Sequence, residues 1–575
     1  MAQRLLRTED EADPALQDDL RVTCGRLLSL VLHSMGVEPH RRGPPGGPGP
    51  ARAAATPCAH VVDHMDPMDG FEAGPGALDE ILRRWVPRPP SGWPLRRVGA
   101  RGLTPTLGAA TCPSMRSWPA LPALVAAMLG LALARDPERE VHLEPLADAQ
   151  FADRPPVKPS WSADELHAHM LGEGGPYRSG DHLAYLATAQ RLTRGERISA
   201  DFAELWPPGV SLVAAGVLTL TGGARYGQSM AVATALLMGL AMGLLVLATG
   251  AEGRRAALLS AGLLSLWLWP GGGEFLFGMG SVLSEGVSHA FLLMALAGVV
   301  GVLRSGHLGW AALAGVGLGG AALSRIFFVG LYPVLIVLPG LVLVALAIQA
   351  ARRRAWPDPR RGALRVALLL LLAGVTGHLV FQPWRNQKKH IYKHERLIQA
   401  DAKYTWKWAF AADADIPWYH HSGNAACHAD PELCRYVQTH WDELAAAEIP
   451  RLALRTLLHH PLRWLAFKVE HLNWLWMGRS WQDLLHAHVA LLVEGLVQAA
   501  LGLVGLVGLA WAALRRRRPE ARWGLALATA FVGLYAATFL ILQYEWRYAL
   551  GLRMFCYALP LVLWAWRPSA SDAQA

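Results

Sequence analysis

The stretch His488–Leu514, HVALLVEGLVQAALGLVGLVGLAWAAL, is followed directly by the run Arg515-Arg516-Arg517-Arg518. At about 1.5 Å per residue a helix of this length spans the ~30 Å hydrocarbon layer of a bilayer. Arginines gathered at one end of such a segment mark the side that stays in the cytoplasm. Similar apolar runs occur at Trp118–Ala134, Ser229–Ala248, Ala256–Trp269, Gly286–Leu303, Trp310–Leu323, Phe328–Ile348, Ala363–Gln382, Arg522–Gln543 and Leu550–Trp566. Together they predict about ten spans. Pro208–Leu220 is shorter and suits an interfacial or re-entrant helix. The expected fold class is an all-α polytopic membrane protein.

Composition agrees. Of 575 residues, 53% are hydrophobic and only 17% charged, against roughly 25% charged in a soluble domain. The mean hydropathy is +0.23 although the first hundred or so residues are polar. The 23 tryptophans suit a long membrane–water boundary, where an amphipathic ring is at home. Collagen, coiled coil, disulfide scaffold and soluble α/β enzyme are excluded on these grounds. The net charge of +9 comes from short basic clusters between apolar runs, a topology signal rather than a nucleic-acid footprint.

The clusters also orient the chain. If Pro208–Leu220 does not cross, the short loops holding Arg254/Arg255, Arg304, Arg352–Arg354 with Arg360/Arg361, and Arg515–Arg518 all face the cytoplasm. Both chain ends are then cytoplasmic, and two long segments, 135–228 and 383–485, lie outside. The resulting division is an extension over 1–116, a membrane domain over 117–566 and a tail over 567–575. The extension opens acidic and contains the Gly/Pro run Gly43–Pro50, a disordered composition. Met115-Arg116 precedes the first apolar segment as a start residue would, so an over-extended reading frame is an open reading.

Several outward residues can carry chemistry. Gly180-Asp181-His182-Leu183-Ala184-Tyr185 precedes Ala189 and Leu192. Asp181 stands at a helix start, where free N–H groups favour a carboxylate, and a plain N-cap accounts for it. Tyr185 follows one turn later on the same side. Trp206-Pro207-Pro208-Gly209 heads the short apolar helix. Arg325 and Arg547 fall in short outer loops against the charge rule, either as functional cations or as interfacial arginines. Cys427 and Cys434 enclose a short Asp-Pro turn in the second outer segment, and in an oxidising envelope compartment they are expected to form a disulfide. No metal-ligand spacing, Walker loop or dinucleotide fingerprint stands out.

In this order the elements resemble the GT-C membrane glycosyltransferases, closest to the protein mannosyltransferase and aminoarabinose transferase-like enzymes of glycosyltransferase family 39. The resemblance rests on Asp181 with Tyr185, the Pro207-Pro208 pair, Ser284-Glu285, Leu323-Ser324-Arg325, Pro383-Trp384-Arg385-Asn386 and Glu545-Trp546-Arg547-Tyr548. It covers about 118–566. His182 stands where many relatives carry an acid, Trp206 replaces a lysine, and the Pro-Trp-Arg-Asn element lacks a two-residue gap. The resemblance implies a bacterial inner-membrane enzyme with an outward site and no bound cofactor. It would transfer a sugar, with inversion, from a polyprenyl-phosphate donor to a lipid, glycan or protein acceptor. Asp181 would be the catalytic base, and Arg325, Arg385 and Arg547 would hold the donor phosphate. Tyr185, Glu285 and Glu545 would support them. Membrane lipids are the remaining partners and nucleic acid is not one. Two other classes fit ten spans with buried charge: a secondary transporter, which would show internal repeats and a midplane site, and a non-catalytic scaffold.

Overall fold

The computed structural model describes residues 120–133, 161–171, 180–269, 284–353, 362–391, 407–410, 425–445, 448–477, 481–486, 488–515, 519–541 and 546–566. The extension up to residue 116, the tail from 567 and Glu545 lie outside the described residues. Among the described residues there is no strand. The chain runs α1 Ala120–Leu133, α2 Ala163–Leu171, α3 Gly180–Thr193, α4 Ala200–Leu205, α5 Gly209–Thr221, α6 Tyr226–Thr249, α7 Arg254–Leu268, α8 Ser284–Ser305 and α9 Leu308–Ser324. A 3-10 turn, Ile326–Gly330, leads into α10 Leu331–Arg353 and α11 Ala363–His390. After a 3-10 turn at Lys407–Phe410 come α12 Ala425–Ala429, α13 Pro431–Thr439, α14 Glu448–His459, α15 Pro461–Glu470, α16 Leu472–Met477 and α17 Trp481–His486. The last helices are α18 Val489–Arg515, α19 Pro519–Ile541 and α20 Trp546–Ala565.

Among the described residues six helices are long and apolar enough to cross a membrane: α6, α8, α10 with its preceding 3-10 turn, α11, α18 and α19. The protein is therefore a helical integral membrane protein. Shorter apolar helices occupy Ala120–Ala132, Gly209–Thr221, Leu308–Ser324 and Ala549–Ala565.

Small residues set the helix packing, because lipid supplies no hydrophobic drive between spans. A Cβ on Gly317 of α9 would stand 2.5 Å from the backbone nitrogen of Ala295, and Gly298 of α8 abuts the Ala314 backbone. The pairings 298 with 314 and 295 with 317 make α8 and α9 antiparallel. On its other side α9 lies along α11, with Gly315 against Thr376 and Gly319 against Val380, so these two run parallel. Connections after α6, α8, α10 and α18 thus fall at one end of the bundle, where Arg254, Arg255, Arg304, Arg352 and Arg515 lie. The opposite end receives the described parts of the polar segments, 161–171 with 180–208, and 407–410, 425–445 and 448–477.

Two smaller cores sit at that second end. One joins Leu166, Leu183, Tyr185, Leu186, Phe202, Val210 and Tyr226 from α2 to α6. Helix α2 begins with a reciprocal cap: Ser162 N–H donates to Glu165 Oε2 at 2.7 Å and Glu165 N–H to Ser162 Oγ at 3.2 Å. The backbone N–H of Ser162 holds the Glu165 carboxyl below its usual range. The other core packs Phe410, Ala426, Val437, Ile449, Trp464 and Phe467 from α12 to α15, and Cys427 and Cys434 form a disulfide beside it with Cα atoms 4.7 Å apart.

One boundary differs from expectation. The second polar segment was expected to open at Pro383, but α11 continues through it to His390. Lys388, Lys389 and His390 occupy its last turn, where basic side chains complement the helix dipole. Lys388 is buried while Lys389 and His390 are exposed, so this run is not uniformly solvated.

Candidate active site at the end of the bundle

Glu285 lies in the first turn of α8, where free N–H groups favour a carboxylate. Its side chain is fully buried, and Arg325 Nη2 approaches Oε1 to 2.9 Å. The Ser284 hydroxyl donates to Glu285 Oε2 at 3.3 Å. Arg325 follows α9 in extended backbone, so the antiparallel α8–α9 pair is what delivers both residues to one end. The arginine side chain is 13% exposed.

His289 stands one turn after Glu285 on the same face of α8 and is buried. Tyr535 packs edge-on to Phe327, ring centroids 4.7 Å apart. Gly551 of α20 completes this group. A Cβ there would be 3.3 Å from His289 Nε2 and would collide with the Tyr535 hydroxyl. Arg547 is one turn before Gly551. Because α8 and α20 both run away from this end, the backbone of Arg547 lies level with Glu285.

The Pro-Pro element closes another side. Pro207, Pro208 and Gly209 are buried, and a Cβ on Gly209 would stand 2.6 Å from the carbonyl carbon and oxygen of Leu323 and 2.7 Å from Ser324 N. Only glycine permits that backbone-on-backbone contact. Two residues on, the Ser211 hydroxyl donates to the Tyr185 carbonyl at 3.2 Å. Tyr185 is buried, with its ring edge-on to Phe202 at 6.0 Å, and Phe202 lies 5.6 Å from Trp206. Asp181 is in the first turn of α3, one turn before Tyr185. The ion pair brings Glu285 and Arg325 together directly, while Tyr185 is linked to them only through the packing of Ser211 and Gly209, and Arg547 only by the level of its backbone. Arg385 is not brought to them by any described contact, and its side chain is exposed near the end of α11.

His289 and Tyr535 were not singled out from sequence. Spacing could have found His289, four residues from Glu285; nothing marks Tyr535 among the apolar residues of α19. A second buried polar network was also missed. Arg553 Nη2 pairs with Glu494 Oε1 at 2.8 Å, and its Nε donates to Gln498 Oε1 at 2.5 Å. Gln498 donates back to Glu494 Oε1 at 3.0 Å. This network is buried in the α18–α20 contact, and Arg553 Nη1 also reaches the Trp476 carbonyl at 3.4 Å, so it ties α16, α18 and α20 together as a packing device.

One turn along α19 from Tyr535, at Phe531, an apolar groove of about 400 Å³ opens between α8, α10, α19 and α20. Leu335, Phe531 and Phe555 line it near the site, Leu292 and Val299 along it, and Arg304 and Glu520 at the far end. From Leu292 to Arg304 it covers twelve residues of α8, about 18 Å of rise.

Next to the site, α15 attaches to the end of α19: Trp464 Nε1 donates to the Leu540 carbonyl at 2.7 Å, and Lys468 Nζ lies 5.2 Å from the centre of the Phe539 ring. Lys468 is buried, and desolvation pulls its pKa down to about 7. Among the described residues no three His, Cys, Asp or Glu side chains are grouped to hold a metal ion. Compared with known families, curated proteins and solved structures, the chain matches none.

Proposed function

We propose that the protein is a GT-C-type glycosyltransferase of a bacterial inner membrane. It takes a sugar from a polyprenyl-phosphate donor on the outer face and passes it, with inversion, to a hydroxyl of a lipid, glycan or protein. The observation that carries this reading is the buried Arg325–Glu285 pair, pressed against the Pro-Pro element at the bundle end opposite the arginine-bearing turns. By the positive-inside rule those turns are cytoplasmic, which leaves the site facing out. The architecture proposed has about ten spans, with α1, α7, α9 and α20 crossing beside the six longer helices.

The chemistry follows from the positions. Asp181 accepts the proton of the acceptor hydroxyl as the oxygen attacks the anomeric carbon. The bond from that carbon to the phosphate oxygen breaks on the opposite side, and polyprenyl phosphate leaves with the electron pair. Arg325 and Arg547 receive the developing charge, in a site partly closed to water where such stabilisation is strongest. Glu285 holds Arg325 in place. The apolar groove lined by Phe531, Phe555 and Leu292 suits the donor's hydrocarbon tail.

The test is to incubate purified protein with polyprenyl-phosphate sugars and candidate lipid, glycan and protein acceptors. Sugar transfer with inverted anomeric configuration supports the proposal. Absence of transfer, with solute flux in proteoliposomes, would replace it with a transporter.

A further inference from the structure

Helices α14 and α15 bury one side only. Ile449, Ala453, Thr456, Trp464, Phe467 and Lys468 face the core of their segment. On the other side Leu454, Leu458, Leu462, Leu465, Val469 and Leu472 are exposed, Leu458 at 77% and Leu462 at 79%. Within each helix their spacing of three or four residues places them on one face, Leu454 and Leu458 on α14 and Leu462, Leu465 and Val469 on α15, so each helix presents an aliphatic ridge. A ridge of this size on a surface bathed in water is rare without a partner. Exposed Arg451, Arg455 and Arg463 flank it, against Glu448 and Glu470 at its ends.

The attachments fix the level of the ridge. Trp464 hydrogen-bonds to the Leu540 carbonyl in the last turns of α19. Trp476 Nε1 donates at 3.0 Å to the Gly495 carbonyl, two turns into α18, and Arg553 Nη1 reaches the Trp476 carbonyl at 3.4 Å. The segment carrying the ridge is therefore bonded to the last turn of α19 and, through Trp476, to α18 and α20 about two turns in from their first residues. On α18, the membrane-spanning helix to which Trp476 is bonded, Val489, Val493 and Leu496 are likewise exposed.

We infer that α14 and α15 lie in the lipid surface on the active-site side of the membrane, with the aliphatic ridge at the acyl boundary and Arg451, Arg455 and Arg463 on the phosphates of anionic lipids. Apolar area and arginine charge then act together, as in interfacial amphipathic helices. Lys468 is no part of this rim, because it is buried on the inner side. The inference stands apart from the proposed transfer reaction, since it needs only a membrane and the helix attachments.

Nitroxide labels test it in the full chain. Cys24, Cys58, Cys112 and Cys556 are replaced by alanine, the Cys427–Cys434 disulfide is left in place, and labels are introduced at Leu458→Cys, Leu462→Cys and, as an off-ridge control, Glu432→Cys. In vesicles of phosphatidylcholine with phosphatidylglycerol, the ridge labels should meet oxygen several-fold more than a nickel complex, and the control should show the reverse. Spin-labelled phosphatidylglycerol should be immobilised in preference to spin-labelled phosphatidylcholine, and this preference should fall several-fold in the triple variant Arg451→Gln, Arg455→Gln, Arg463→Gln. Ridge labels as open to nickel as the control would overturn the inference. So would dipolar broadening between ridge labels, which would mean that a second copy covers the ridge, or a lipid preference that the triple variant leaves unchanged.

Discussion

Arg325 and Glu285 close the site end of an antiparallel helix pair with a buried ion pair 2.9 Å long. Each group alone would be costly there, since a buried charge without its partner keeps the desolvation penalty and loses the attraction. Glu285→Gln should therefore destabilise the protein by about 3–5 kcal/mol. The double variant Glu285→Gln with Arg325→Met should recover much of that loss. Chemical unfolding of the purified protein in detergent reads both, and a single variant as stable as the wild type contradicts the pairing.

Gly209 gives a second prediction. The nearest atoms to a Cβ at 209 are backbone atoms of Leu323 and Ser324, which cannot rotate aside as a side chain can. Gly209→Ala should cost about 1–3 kcal/mol of stability, as overpacking does. Because the strain falls on the residues that deliver Arg325, donor binding should weaken as well. Gly216→Ala on the same helix is the control: a Cβ there meets nothing within 4 Å, so stability and binding should stay unchanged.

The membrane helices were legible because their information is local and repeated. The run Trp118–Ala134 became α1 Ala120–Leu133, and the non-crossing candidate Pro208–Leu220 became α5 Gly209–Thr221. Pro208 and Gly222, the latter at φ 62°, bracket that helix as residue type alone suggests. The polar segments were less legible. Helices α12 to α15 are short and amphipathic, and what holds them is a core assembled from distant pieces such as Phe410 and Trp464. Within the site, Glu285 and Arg325 were visible as charges beside apolar runs, but their contact depends on the antiparallel return of α9. Arg385 was chosen by resemblance of a motif, and the continuation of α11 past Pro383 leaves it exposed. The Arg553–Glu494–Gln498 network had a signal: Glu494 and Gln498 are polar residues four apart inside an apolar run, and polar groups in spans find one another.

Cys427 and Cys434 should resist alkylation in non-reduced protein, because the two are joined. Replacing both with serine should lower stability by about 2–3 kcal/mol, the range for a short closed loop. The loss should appear in proteolysis of the α12–α15 core before the bundle unfolds. Full labelling of both thiols without reductant contradicts the structure.

Lys468 predicts a pH dependence. Its pKa is near 7 when folded and 10.5 in the ordinary state, so between these values the unfolded chain binds the extra proton. Stability from this group is then lowest below about pH 7 and rises toward pH 10.5. Lys468→Met should raise the unfolding midpoint most at pH 6–7, and its advantage should shrink as pH rises through that window. An advantage that is constant with pH would show that Lys468 is not desolvated.

The most direct test of the proposed chemistry is Asp181→Asn, with donor binding and sugar transfer measured on the same preparation. Asparagine is nearly isosteric with aspartate and fits a first helical turn, so α3 should fold unchanged, and the arginines should still bind polyprenyl-phosphate sugar with near wild-type affinity. Transfer should fall by roughly 100- to 10,000-fold, the usual contribution of a general base. Near-normal turnover in Asp181→Asn would contradict the account and leave Asp181 as a helix cap.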